Sequence, residues 1–238
     1  SYQSAGVCAS VQARGLAGSR ATLRRAGQEF ALDLPLVGAF NVSNALAAIG
    51  AAMARGVALA DAIDAVNSVP QVPGRMTAIT QGQPFGVMVD YAHTPESLEK
   101  VLRLLRTAIG TGRLIAVFGS AGERDTVKRP IQGAVAAEIA DIVVVTNEDP
   151  RYEDAASIVD AIADGAVAAG ARDGETLFRI VERRDAIAKA IDLARPGDAI
   201  LLAGKGHERS IIWNGEKLPW DEAEVARELL AERGWTTV

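Results

Sequence analysis

The chain has 238 residues, 49% hydrophobic against 23% charged, with a formal net charge of −5. That length carries one large domain or one domain plus part of another, and that balance excludes a disordered polymer. Surplus acid disfavours nonspecific nucleic-acid binding, no apolar run forms a signal peptide or reaches transmembrane length, and the single Cys8 leaves no internal disulfide, so a soluble cytoplasmic protein with no nucleic-acid or membrane partner is expected.

The opening Ser1 in place of an initiator Met suggests a piece cut from a longer protein, or an N-terminus from which processing has removed the Met. Residues 1 to about 36 alternate apolar and polar positions between Gly breaks, as in Phe30-Ala31-Leu32-Asp33-Leu34, which predicts a small β region of short half-buried strands. Asn41 is placed to cap an Ala-rich helix that runs to about Arg55 and ends at Gly56, and a second helix is expected from Leu59 to Val66. Pro70 to Gly74 reads as a boundary. From Met76 onward apolar strands alternate with longer helical segments, the signature of a parallel sheet with helical crossovers. Strands are predicted at 85–90, 113–118, 141–146 and 198–203, and helices at about 95–109, 130–140, 154–169, 184–194 and 221–232. The loops after those strands are then expected on one sheet edge, where open α/β sheets bind ligands.

Each of the four loops carries unusual chemistry. After the first strand comes Asp90-Tyr91-Ala92-His93-Thr94-Pro95. A carboxylate at a strand end suits ribose hydroxyls, but Thr94 capping the helix while Asp90 binds backbone explains the same residues. After the second, Arg124, Lys128 and Arg129 sit in a Gly-containing loop ahead of a helix, which suits an anion or a solvated loop with surface salt bridges. The third gives Glu148-Asp149-Pro150-Arg151. Acids to bind an ammonium and a guanidinium to grip a carboxylate describe an amino-acid site, and acids near a helix start describe an ordinary cap. The fourth gives Gly204-Lys205-Gly206-His207-Glu208, which lacks the Ser or Thr of a phosphate-cradling P-loop; Glu208 adds an ammonium acceptor, and a tight turn with a structural His is the plainer reading. Both histidines of the chain, His93 and His207, lie in these loops.

Taken in order, Gly38-Ala39-Phe40-Asn41-Val42-Ser43-Asn44, Pro73-Gly74-Arg75-Met76, Asp90 to Pro95, Arg124-Asp125 with Lys128-Arg129-Pro130, Asp149-Pro150-Arg151 and Gly204 to Glu208 resemble the motifs of the Mur ligases, and in particular of the members that add a diamino acid. The resemblance spans nearly the whole chain. It implies an α/β, Rossmann-like C-terminal domain at 73–238, preceded at 1–72 by the tail of a central ATP-binding domain with its small β region and helices. It implies ATP-dependent amide ligation with Mg2+, in which the glutamate side chain of a UDP-MurNAc-dipeptide is activated and attacked by the amine of the diamino acid. Asn44, Arg75, Asp90 and His93 would lie on the nucleotide side; Arg124, Glu148, Asp149, Pro150, Arg151, Gly204 and Glu208 would hold the diamino acid. No P-loop or upstream magnesium segment is present, so no catalytic residue or metal site is assigned and the chain alone is expected to be inactive. Members that add meso-diaminopimelate usually read Asp-Asn where this chain has Glu148-Asp149. Arg151 favours a distal carboxylate on the substrate, whereas Asp149 repels one unless it pairs internally with Arg151 or Arg124. Meso-diaminopimelate is preferred, with lysine or ornithine, another Mur ligase step, a folylpolyglutamate synthetase relative or a noncatalytic ligand-binding module as alternatives.

Overall fold

The computed structural model describes residues 2–4, 7–13 and 15–236. The chain forms two compact units, Ser1–Val72 and Pro73–Val238. In the first, β1 (Tyr2–Ser4), β2 (Val7–Ala13), β3 (Ser19–Arg25) and β4 (Gln28–Leu34) make an antiparallel meander, followed by α1 (Ala39–Ala54) and α2 (Leu59–Asn67). Period-two alternation sends Ala21, Leu23, Leu32 and Leu34 inward, where they meet Val42, Leu46 and Ile49 of α1 and Ile63 of α2. Asn41 does not cap α1. Gly38, at φ 106°, takes the cap position, and Asn41 lies buried in the first turn with Nδ2 donating to Val37 O at 2.9 Å. A glycine adopts that backbone angle at little steric cost, so the helix starts earlier than the nearest capping side chain suggests.

The second unit runs β5 (Thr77–Ala78), β6 (Gly86–Asp90), α3 (Pro95–Ile109), β7 (Leu114–Phe118), α4 (Lys128–Ile139), β8 (Ile142–Val145), α5 (Ala155–Ala168), β9 (Leu177–Arg179), α6 (Arg183–Leu193), β10 (Ala199–Ala203), β11 (Ser210–Trp213), β12 (Glu216–Pro219) and α7 (Glu222–Glu232). The predicted strands and helices of this α/β unit all form, with ends shifted by no more than two residues; β5, β9 and the β11–β12 hairpin were not anticipated. One six-stranded sheet has the order β5-β6-β10-β7-β8-β9, parallel except for β5. β7 and β10 are buried at all five positions, as central strands covered on both faces must be.

Right-handed crossovers explain the layering. The chain steps in one direction from β6 through β9, which puts α3, α4 and α5 on one face; the return to β10 puts α6 on the other, where Ile187, Ile191, Leu229 and Leu230 of α6 and α7 pack on Val89, Val117, Ile200 and Leu202. β7 therefore leads to α4 on one face while its neighbour β10 leads towards α7 on the other. The chain diverges at their carboxyl ends and leaves a crevice there. The loops beginning at Asp90, Gly119, Thr146 and Gly204 all open on that edge.

Candidate functional site

β6 is apolar until Asp90, whose buried carboxylate is engaged by main chain on both oxygens. Oδ2 accepts from Met76 N and Oδ1 from Ala92 N, each at 2.8 Å. Burial pushes the carboxyl above its ordinary range, and these amides offset only part of that. Thr94 and Ser97 form a capping box on α3 with Pro95 in the first turn, so the plainer use of this segment is realised. The Met76 bond fixes a turn in which Gly74 and Met76 are both left-handed, at φ 68° and 48°. Exposed Arg75 thereby stands over the Tyr91 ring, 5.0 Å from its centre. Tyr91 also packs on His93 and His207, with centroids 4.7 and 5.2 Å away. His93 Nδ1 lies 2.8 Å from Tyr91 O; a carbonyl only accepts, so Nδ1 carries a proton, and in the neutral ring Nε2 is then an acceptor. Lys128 Nζ and Gln132 Nε2 both donate to His93 O, which ties the start of α4 to this loop. Asn44 belongs to the other unit, exposed on α1 and donating to Asn41 Oδ1 at 3.3 Å.

The loop after β8 carries the concentrated charge. Glu148 is buried, and its Oε2 has no hydrogen-bond partner among the described residues. That oxygen faces Gly204, where an added β-carbon would stand 2.7 Å from it; with φ 104°, the position suits glycine on both counts. Asp149 pairs with neither Arg151 nor Arg124. It is held by Lys205, whose fully buried Nζ donates to Asp149 Oδ1 at 2.9 Å and to Glu208 Oε2 at 2.6 Å. Ile212 N also donates to Asp149 Oδ1, and Tyr91 OH donates to Glu208 Oε1 at 3.3 Å. The sequence hides this lysine between Gly204 and Gly206, which read as a turn and not as an interior.

Arg151 sits at φ 57° just after Pro150, its N donating to Ile212 O and its O accepting from Asn214 N. Its buried Nε has no partner among the described residues. The loop after β7 lies directly on this one: Gly122 N donates to Asp149 O at 2.8 Å, and a β-carbon at Gly119 or Gly122 would overlap the backbone of Thr146–Asn147 or Pro150. Arg124 projects from it, exposed and without an ion pair among the described residues. Thus Glu148, Asp149, Gly204 and Glu208 are brought together, Pro150 and Arg151 continue the same loop, and Arg124 remains at the solvent side. Buried polar atoms are nearly always satisfied, so the acceptors Asn147 Oδ1 and Glu148 Oε2 and the donor Arg151 Nε, all without a partner among the described residues, suit an ammonium and a carboxylate.

Sequence reasoning missed what holds these loops in register. Arg183 and Glu222 form a wholly buried ion pair at 2.6 Å, and the guanidinium donates to Asn147 O at 2.9 Å and Ala203 O at 2.8 Å, the carbonyls immediately before Glu148 and Gly204. In the string Glu182-Arg183-Arg184-Asp185 nothing distinguishes Arg183 from a surface charge.

Burial also raises the Glu148 carboxyl above the ordinary glutamate value of 4.5, against the opposing pull of Arg183, Lys128 and Lys205. Below that pH the group is protonated whether the chain is folded or not. As pH rises past it the unfolded chain ionises first, and the folded state loses stability until pH passes the raised folded value. Glu148→Gln cannot ionise, so its melting temperature relative to wild type is expected to climb between pH 4 and pH 8. A constant difference across that range would contradict the burial argument.

Comparison with known proteins adds the following. The family model described as "Mur ligase, glutamate ligase domain" matches residues 74–206. A UDP-N-acetylmuramyl-tripeptide synthetase of Roseiflexus sp. is 55% identical over 202 residues, covering 85% of this chain and 40% of the relative. A UDP-N-acetylmuramoyl-L-alanyl-D-glutamate–2,6-diaminopimelate ligase of Thermosynechococcus vestitus is 47% identical over 204 residues, covering 85% and 40%. The solved structure of a ligase of that second name aligns with a TM-score of 0.71 at 33% identity, over 99% of this chain and 47% of the other. The chain spans about two fifths of the length of the curated relatives it matches.

Proposed function

Because the chain belongs to the Mur ligase family, we propose that it is the carboxyl-terminal part of a cytoplasmic, ATP-dependent ligase of peptidoglycan synthesis that joins a diamino acid, meso-diaminopimelate, to UDP-MurNAc-L-alanyl-D-glutamate. Residues 1–72 are then the end of the central ATP-binding domain and 73–238 the C-terminal domain. The observation that carries the substrate side is the set of unpartnered buried atoms on one loop, the acceptors Asn147 Oδ1 and Glu148 Oε2 and the donor Arg151 Nε. Glu148 and Glu208 receive an ammonium, Arg151 with Arg124 receives a carboxylate, and Gly204 leaves room beside Glu148. Held this way, the amino acid presents its other amine to the activated glutamate, and orientation supplies much of the rate.

The nucleotide side of the second unit is assigned Arg75, Asp90 and His93. Arg75 offers an exposed cation over the Tyr91 ring and His93 an acceptor at Nε2, a set suited to phosphate and base. When bound, ATP supplies the phosphoryl group that turns the glutamate carboxylate into an acyl phosphate. Magnesium would neutralise the charge of the transferred phosphoryl group; among the described residues no group of three or more His, Cys, Asp or Glu side chains could hold a metal ion. Among those residues, too, no helix is long and apolar enough to cross a membrane.

The test is ADP release with UDP-MurNAc-L-alanyl-D-glutamate, meso-diaminopimelate, ATP and magnesium. The full-length protein is expected to turn over, and the 238-residue chain alone is expected to release no ADP above background, because phosphate positioning and neutralisation are most of the catalysis in such reactions. Sustained turnover by the isolated chain that is lost in Asp90→Ala would overturn this division of labour.

A further inference from the structure

We infer that Lys205 sets the amino-acid preference of the site, by cancelling the charge with which Asp149 would otherwise repel a substrate carboxylate. The inference rests on the amino-acid site proposed above and deepens it. Three carboxylates converge there, Glu148, Asp149 and Glu208, and their positions differ in what is left for a ligand. Glu148 Oε2 is free of protein partners. Asp149 Oδ1 is taken twice, by Lys205 Nζ at 2.9 Å and by Ile212 N at 2.9 Å. Glu208 shares the same ammonium at 2.6 Å but remains about one-third exposed, at 34%.

Lys205 itself has no exposed side-chain surface. A buried ammonium persists only where acceptors replace its water, and here the two carboxylates do so. The reciprocal effect is that Asp149 is neutralised from within the protein. Lys205 is thus committed to Asp149 and Glu208, Arg183 and Lys128 bear on Glu148, and among the described residues of this loop Arg151 Nε is a buried cation nitrogen without a partner. A substrate carboxylate meets Arg151 beside a compensated aspartate. Without Lys205 the same carboxylate would meet two additional uncompensated acids, and a second ammonium in its place would be welcomed. Selectivity here is a difference between two amines at one site, so a charge set back from the ligand governs it without touching either.

The experiment uses the full-length enzyme and the ratio of kcat/KM for meso-diaminopimelate to that for L-lysine at saturating ATP. Lys205→Met, which keeps length and removes charge, is expected to lower the ratio by about tenfold or more, and Lys205→Met/Asp149→Asn to bring it back to within about threefold of wild type. Asp149→Asn alone is expected to move the ratio by less than about threefold, whatever it does to the overall rate, since that charge is already cancelled. An unchanged ratio in Lys205→Met, or no recovery in the double variant, would overturn the inference. Should Lys205→Met fail to fold, the Asp149→Asn ratio decides: a rise of about tenfold in the preference for meso-diaminopimelate would show that the substrate feels that charge in the wild type. A wild-type enzyme that ligates neither amino acid would sink the site reading, and this inference with it.

Discussion

Glu222→Ala is expected to cost the Pro73–Val238 unit about 3–5 kcal/mol, because it strands a wholly buried guanidinium without its counter-ion. Arg183 donates to both carboxylate oxygens of Glu222, and Trp220 Nε1 donates to Oε2 at 2.6 Å, so the truncation leaves several donors unsatisfied at once. For a unit of this size that loss lowers the melting temperature by roughly 6–20 °C. The double change Arg183→Met with Glu222→Leu is expected to recover much of the stability, since apolar side chains fill such sites without charge. It also removes the donors to Asn147 O and Ala203 O, so amino-acid use by the full-length enzyme should stay impaired after the fold has recovered. Thermal and urea unfolding of the single and double variants check the first part. A loss below about 1 kcal/mol for Glu222→Ala would mean that water reaches the guanidinium.

Arg151→Ala is expected to lower kcat/KM for meso-diaminopimelate by about thirtyfold to several thousandfold, the range for removing a desolvated guanidinium from a carboxylate. Arg151 already holds φ 57°, so alanine meets no backbone strain that the wild type lacks. Lysine, with no distal carboxylate, should lose less, and the KM for ATP should scarcely move, because Arg75 lies in the turn before β5 and Asp90 and His93 at and just after the end of β6, away from the loop that carries Arg151. Steady-state kinetics with both amino acids separate the outcomes. An equal fall for both would mean that Arg151 holds the end the two substrates share, or the loop itself through its bonds to Ile212 and Asn214.

Much of this was legible from local pattern. The continuous apolar runs Leu114–Phe118 and Ala199–Ala203 announced buried parallel strands, and the Thr94-Pro95 pair announced a helix start. The Asn214-Gly215 pair, with φ 48° and 80°, is the strongest short hairpin signal in the chain; passing over it hid the β11–β12 hairpin, whose Ile212 contacts Asp149 and Arg151. β9 has three residues and β5 two, too short for a period to register. Within the site, the residue types at Glu148, Arg151 and Glu208 pointed to an amino acid, but their pairing did not follow. Whether Asp149 meets Arg124, Arg151 or Lys205 depends on contacts across 25, two or 56 positions, which no local spacing encodes. Arg183 was invisible for the same reason: its partner Glu222 is 39 positions away, and charge alone places both at the surface.

The most direct test of the account is a crystal structure of the full-length enzyme with meso-diaminopimelate bound. The expected density places one ammonium against Glu148 and Glu208, one carboxylate within hydrogen-bond distance of Arg151, and Lys205 still between Asp149 and Glu208. A diamino acid bound away from the loops after β8 and β10, or with an ammonium where Arg151 should grip a carboxylate, would contradict it.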